Sequence, residues 1–501
     1  MRSKPGAVGA IRSHERVAHW AARYPDKPAI GYDGRWITYG EWHERVQEQA
    51  RSLRGDASPV ALVYDATDGV DFAVGYAAAH AAERPALVLN PRIRGRDLRA
   101  QIDFAGAGAV LSGDGHDVEP AREPRAEPRL DRWGEPLAEI SFSSGTTGEP
   151  KGILLSHRAL AWAGVLAGEL AYAARHRFDM PGDPLSADDT LVSAFQAGSA
   201  GTTNGFLNCG LAVGARMHFL PKFDATTFTA FMESVEATVF YGAPAHLALW
   251  RQGEPDAVPT ARSYVVIGQA LASVDAEWFL ERRGRAHLVN CYGLTESCAG
   301  MTVAFDDEVA RPGMIGRPVD GVEIRVVEPD GRDAESEGEL IMRCFGMMES
   351  YLDRPDLTAE KLRDGWLYTG DIVERCGDAY VIRGRTGDRI NRGGYKFDPM
   401  DVEDVAATVE GVTGAVACAI SHPVLGEDIA LVVEVAGHED LDTVREAVAA
   451  TLTWELPKFK VPRQIRAVRE MPRSALGKPQ RSVVAAWFAQ SQPQSEDLVQ
   501  I

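Results

Sequence analysis

Hydrophobic and polar positions switch period several times along the chain. Residues 40–54 (GEWHERVQEQARSLR) space their apolar positions as a helix does, which predicts an amphipathic helix. Residues 59–64 (PVALVY) are an apolar run of strand length. Residues 69–82 (GVDFAVGYAAAHAA) read as a helix packed closely through its alanines, and 85–90 (PALVLN) as another strand. Strand, helix and strand at this spacing make the βαβ pattern of an α/β domain with parallel strands.

The pattern lapses at 118–136 (VEPAREPRAEPRLDRWGEP), a stretch rich in Pro, Arg and Glu that reads as an exposed connector. Strand-like runs resume at 237–244, 263–268, 286–293 and 322–332, the last with a turn marked by Asp330-Gly331. A Gly- and Arg-rich stretch, 383–394 (RGRTGDRINRGG), precedes a shorter unit. That unit has a helix near 399–409, strands at 415–420 and 429–435, a helix at 440–452 and a polar tail from Ser491. The expected fold is α/β: a large N-terminal domain, residues 1–386, of βαβ-type sheets packed with helices, and a small α+β C-terminal domain, residues 387–501.

Composition narrows the classes. The chain has 501 residues, enough for more than one domain, and 53 Lys plus Arg against 72 Asp plus Glu, a net charge of −19. That balance argues against a nucleic-acid partner or an anionic membrane, both of which need a positive field. The exception is local: residues 458–481 hold Lys458, Lys460, Arg463, Arg466, Arg469, Arg473, Lys478 and Arg481 against Glu470 alone, which suits a small phosphorylated ligand. Six scattered cysteines, with no CxxC pair, read as thiols in a reducing cytosol. The N-terminus carries charges where a signal peptide needs apolar residues, and the apolar run 159–174 is broken by Glu169. A cytoplasmic protein is expected.

Candidate chemistry concentrates in SFSSGTTGEPKGILLSH, residues 141–157. Ser143, Ser144, Gly145, Thr146, Thr147 and Gly148 alternate hydroxyls with glycines, and Lys151 follows. Glycines let backbone N–H groups approach a polyphosphate, hydroxyls donate further bonds, and Lys adds a compact positive charge. A bare run of this composition also suits an exposed turn. A Walker A loop is ruled out, because Pro150 precedes Lys151 and Gly152 follows it. Ser156 is an N-cap candidate for a helix from 157.

This order of residues resembles the signature loop of the adenylate-forming superfamily of acyl-CoA synthetases, luciferases and peptide-synthetase adenylation domains. Four further segments match in order: Tyr292-Gly293-Leu294-Thr295-Glu296, Tyr368-Thr369-Gly370-Asp371, the stretch from Gly384-Arg385 to Glu403, and PRSALGKPQR at 472–481. The resemblance implies a two-step reaction on a large domain with a mobile small one. An acid and MgATP give an acyl-adenylate and pyrophosphate, and a thiol, most simply CoA, then takes the acyl group. It implies that Asp371 and Arg385 bind the ribose, Tyr292 stacks on adenine, Thr295 touches the α-phosphate, Glu296 holds Mg²⁺, and Lys478 is the catalytic lysine of adenylation. Gly268, Gln269, Ala270, Asn290, Cys291 and Gly293 complete the implied nucleotide set. Phe195, Gln196, Gly198 and Ser199, with Gly242, Gly268 and Gly293, form the implied pocket for a small carboxylic acid.

The sequence departs from the family at two places. Phe195-Gln196 stands where acyl-CoA ligases have an aromatic-His pair, and Gln196 either hydrogen-bonds a polar substrate or faces a neighbouring loop. Gly387 stands where the family has Asp or Lys as its hinge. No Asp occurs in 193–204, which argues against an α-amino-acid substrate. Three alternatives to CoA ligation stay open: transfer to a separate carrier protein, an adenylate directed to a non-thiol nucleophile or formed from an oxyanion such as nitrite, and a non-catalytic nucleotide-binding scaffold.

Overall fold

The computed structural model describes residues 12–489 except 66, 114–117, 126–129, 132–133, 144–150, 163, 165–184, 221, 254, 256–257, 260, 299, 394 and 474–478. The βαβ unit read from the apolar pattern is present as the strand Val60–Val63, the helix Gly69–Ala81 and the parallel strand Ala86–Val88. Ala73, Ala77, Ala78 and Ala79 of that helix are fully buried, so small side chains do bring it close to the sheet. The preceding helix, Tyr39–Leu53, buries Tyr39, Trp42, Val46, Ala50 and Leu53 on one face. Thr38 caps it: its hydroxyl accepts from Glu41 N–H (3.1 Å), and the Glu41 carboxylate accepts from Thr38 N–H (2.7 Å). Such a cap contributes about 1 kcal/mol.

A six-stranded sheet runs in the order Ser350–Tyr351, Lys151–Ser156, Leu137–Ser143, Ala86–Val88, Val60–Val63, Ala109–Ser112. Its last four strands are parallel, and the central ones among them are apolar and covered on both faces. A larger sheet contains six adjacent parallel strands: Pro28–Tyr32, Arg216–Phe219, Thr190–Ser193, Val239–Gly242, Ser263–Ile267 and His287–Gly293. Antiparallel strands extend it through Ala379–Arg385 and Trp366–Cys376 as far as Glu323–Val327. Strand membership then changes sheets: Ala379–Arg385 pairs in the large sheet, and Ile390–Arg392 pairs with Gly426–Val435 in a separate five-stranded sheet. The helices Met400–Ala407 and Leu441–Glu455 cover that small sheet around the core residues Leu431, Val433, Val444 and Leu452. The architecture is an α/β body with a smaller α+β unit, as the periodicity implied.

The basic segment is less open to ligands than its composition implied. Lys460 pairs with Asp401 (2.7 Å), Arg463 with Asp428 (3.4 Å), and Arg473 with Glu434; Arg481 reaches Glu403. Arg469 donates to the carbonyls of Ala436 and Glu439. Carboxylates elsewhere in the small unit neutralise much of the run, which a linear count cannot register. Among the described residues, no helix is long and apolar enough to cross a membrane.

Candidate nucleotide and acid site

In a parallel sheet, ligands gather beyond the carboxyl ends of the strands. Here Gly242, Ile267 and Gly293 end three neighbouring strands, so Gly242, the 268–270 turn and Gly293 share one edge. Gly268 has φ +95° with open space around it, a conformation costly to any other residue. The signature loop belongs to the other sheet. Strands Leu137–Ser143 and Lys151–Ser156 are antiparallel with Ser143 opposite Lys151. Ser144, Gly145, Thr146, Thr147 and Gly148 lie between them, outside the described residues, as does Lys478. Ser156 caps the helix that opens at His157 by accepting from Ala159 N–H at 3.2 Å.

Asp371 is the electrostatic centre. Its side chain is 4% exposed, accepts from Arg385 Nε at Oδ1 (2.7 Å) and from the Tyr292 hydroxyl at Oδ2 (2.6 Å). Antiparallel register sets Asp371 directly opposite Arg385. The Thr369 hydroxyl accepts from Asp371 N–H (3.0 Å) and donates to the Leu340 carbonyl (2.7 Å), so the strand segment that carries Asp371 is fixed from behind. Burial, then the Asp371 carboxylate, push the Tyr292 phenol well above its ordinary value, so it remains a donor.

Glu296 stands in a single helical turn, Thr295–Ser297, that follows Gly293. Its Oε1 accepts from the Tyr351 hydroxyl (2.8 Å), and its carbonyl accepts from Met348 N–H (2.7 Å). The Lys151 ammonium lies 5.9 Å from the Tyr351 ring centre, within cation–π range. Tyr351 thus joins the end of the signature loop to the Thr-Glu turn. Composition gave no signal for it, because its strand partner Ile153 is 198 positions upstream.

Phe195 packs over Gly201 and lies edge-on to His246, with ring centres 6.4 Å apart. His246 accepts from Ala243 N–H through Nδ1 (2.9 Å), and burial lowers its pKa to about 4, so it is a neutral imidazole with Nε2–H available. It lies beside Phe195, and the motifs did not identify it. The Gln196 side chain is half-buried, and its carbonyl accepts from the Thr202 hydroxyl at 2.6 Å.

Four residues of the expected site also make contacts within the fold. Asn290 donates to the Met314 carbonyl (2.8 Å), and the Cys291 side chain lies in the hydrophobic core. Gly198 has φ +83°, and a Cβ there would sit 2.0 Å from the Leu89 carbonyl oxygen, so close backbone approach requires the glycine. Ser199 caps the turn Ala200–Thr202. Strand pleat and loop packing decide these cases, and a motif string carries neither.

The AMP-binding enzyme family pattern matches residues 17–352, and the AMP-binding enzyme C-terminal domain matches 401–478. The chain belongs to the AMP-binding enzyme family. This AMP-binding enzyme is 27% identical to indoleacetate–CoA ligase of Aromatoleum aromaticum, over 92% of this chain and 96% of that one. It is also 27% identical to 3-hydroxybenzoate–CoA ligase of an Aromatoleum species, over 91% and 92%. The solved o-succinylbenzoate CoA synthetase of Bacillus subtilis, in complex with its acyl-adenylate, shares the fold with TM-score 0.79 at 19% identity, over 96% and 98% of the two chains. Its two family domains make the protein an adenylate-forming, ATP-binding enzyme close in pattern to acyl- and aryl-CoA ligases.

Proposed function

We propose that the protein activates a carboxylic acid with MgATP, releasing pyrophosphate, and transfers the acyl group to the thiol of CoA. The observation that carries the reading is the buried Asp371 carboxylate in the strand Trp366–Cys376, braced by Arg385 on the neighbouring antiparallel strand and by Tyr292 near the carboxyl end of the parallel strand His287–Gly293. A carboxylate with two oxygens fixed this way suits the vicinal hydroxyls of a ribose. The division at 386/387, with residues 1–386 as the nucleotide- and acid-binding domain, belongs to the same proposal.

The residues fit a magnesium ion bound through substrate. Among the described residues no cage of three metal-ligating side chains exists, and Mg²⁺ is commonly held by one or two carboxylates plus phosphate oxygens. Glu296 is the carboxylate available. When bound, the ion would neutralise charge on the phosphates. Ser143 to Gly148 and Lys151 would hold the phosphates, Thr295 the α-phosphate, and Gly268, Gln269, Ala270, Gly293 and Tyr292 the base. Phe195, Gln196 and Gly242 would receive the acid.

In the first step an acid oxygen attacks the α-phosphorus and the α–β bridging bond breaks, with pyrophosphate leaving. Lys478 would place an ammonium where negative charge accumulates. In the second, the CoA sulfur, having lost its proton, attacks the acyl carbon and AMP leaves. Gly387, with φ +94° and nothing near its Cβ position, would serve as hinge between the two steps. The aromatic surroundings of the pocket and the aromatic acids named for two relatives support an aryl or arylalkyl acid. Pyrophosphate exchange with benzoate, 3-hydroxybenzoate, indoleacetate and hexanoate, followed by mass spectrometry of products with CoA, tests the reading. Exchange with none of them would count against it.

A further inference from the structure

Glu139 has no part in that chemistry, yet it is fully buried in the strand that runs into the signature loop. Its partners are hydroxyls from three segments. Tyr76, on the helix Gly69–Ala81, donates to Oε2 at 2.9 Å. Ser141, two residues before the loop begins, donates to Oε1. Thr203 donates to the same oxygen at 3.2 Å. Burial raises the Glu139 pKa to about 6, against the pull of these hydroxyls.

Thr203 opens a five-residue π turn, Thr203–Leu207, an element frequent at functional sites. Asn208 completes the ring: its side-chain amide donates to the Thr203 carbonyl (2.8 Å) and to the Tyr76 hydroxyl (3.4 Å). Just upstream lie Phe195 and Gln196, tied to the same turn through the Thr202 hydroxyl. A buried carboxylate is costly unless hydrogen bonds satisfy it, and the three donors here do so only while the three segments hold their relative positions.

We infer that Glu139 is a positioning residue that clamps the acid-pocket segment 195–207 to the strand carrying the phosphate loop. The inference rests on the proposed acid activation. Attack on the α-phosphorus requires reacting atoms within about 3–3.5 Å, and the acid and the phosphates are held by these two segments. One carboxylate bonded to both sets their separation.

Thr203→Val removes a single donor at constant shape, and Glu139→Gln keeps the volume. With the most active of the four test acids, Thr203→Val is expected to raise the acid KM at least fivefold while the ATP KM stays within twofold, and Thr203→Ser is expected to restore both. Independently of any acid, amide hydrogen exchange across 195–207 should quicken severalfold in Thr203→Val and Glu139→Gln, with 287–293 unchanged. Equal rises in both KM values, or unchanged exchange in 195–207, would overturn the clamp. Silence of the wild type toward every acid would defeat the proposed activity instead, and the exchange data would still decide the clamp.

Discussion

The Tyr292 hydroxyl and the Arg385 guanidinium occupy opposite oxygens of Asp371, at 2.6 and 2.7 Å. The carboxylate is therefore held in a fixed orientation, as the proposed ribose contact would need. Asp371→Asn keeps the size but turns one acceptor into a donor facing Arg385. ATP binding should weaken by about 10–100-fold, the scale of losing charge-assisted hydrogen bonds at a buried site. Tyr292→Phe retains the aromatic face and should change the Kd by less than about fivefold. Calorimetric titration with ATP distinguishes the two, and a larger effect for Tyr292→Phe would reverse the assignment.

Tyr351 holds Glu296 by a 2.8 Å hydrogen bond and is otherwise buried. Phenylalanine fills the same space and frees the carboxylate to rotate. The expected outcome for Tyr351→Phe is a several-fold higher magnesium concentration at half-maximal pyrophosphate exchange, with the acid KM unaltered. Orientation of a ligand by its outer partner has effects of about 10-fold or more in other metal sites. A variant with wild-type magnesium dependence would remove Tyr351 from the site.

Lys478 is assigned by its motif, PRSALGKPQR, within the matched C-terminal domain. Lys478→Ala should abolish exchange by a factor of about 100 or more, as loss of a charge aimed at the transition state does. Thioester formation from a supplied acyl-adenylate should persist, since that half-reaction does not use the ammonium. Equal loss in both half-reactions would mean that the lysine supports the fold or the CoA step instead.

The βαβ unit at 59–90 was legible because fully buried parallel strands and an alanine helix leave strong local patterns. Asp371 and Arg385 were legible through short motifs, and the strand register joins them. Tyr351, His246 and Glu139 were not. Each meets a residue far away in sequence, Tyr351 with Glu296, His246 with Phe195 and Glu139 with Tyr76, and a lone Tyr, His or Glu has no local signature. Asn290 and Gly198 make contacts that the motif string does not show either, one with the Met314 carbonyl and one with the Leu89 carbonyl.

Two carboxyls beside the contact between the two units make stability depend on pH. Asp404, on the helix Met400–Ala407, lines a cavity of about 260 Å³ with Pro312, Ile382 and Arg383 of the larger unit. Burial, then the neighbouring Glu403 and Asp401, raise its pKa from 3.8 to about 7, opposed by Arg383. Burial also raises Asp398 to about 6, although Arg389, which bridges to Glu337 at 2.9 Å, lies beside it. The folded chain binds both protons more tightly than the unfolded chain does. Their stabilising contribution is therefore complete below the ordinary carboxyl range and is lost as pH rises through 6 to 7. Asp404→Asn removes the charge without removing the shape. Its melting temperature should exceed the wild type's by a few degrees at pH 8, with the gap narrowing by about pH 5 and closing only below about pH 4. A gap of constant size across that range would mean that Asp404 does not titrate in the folded protein.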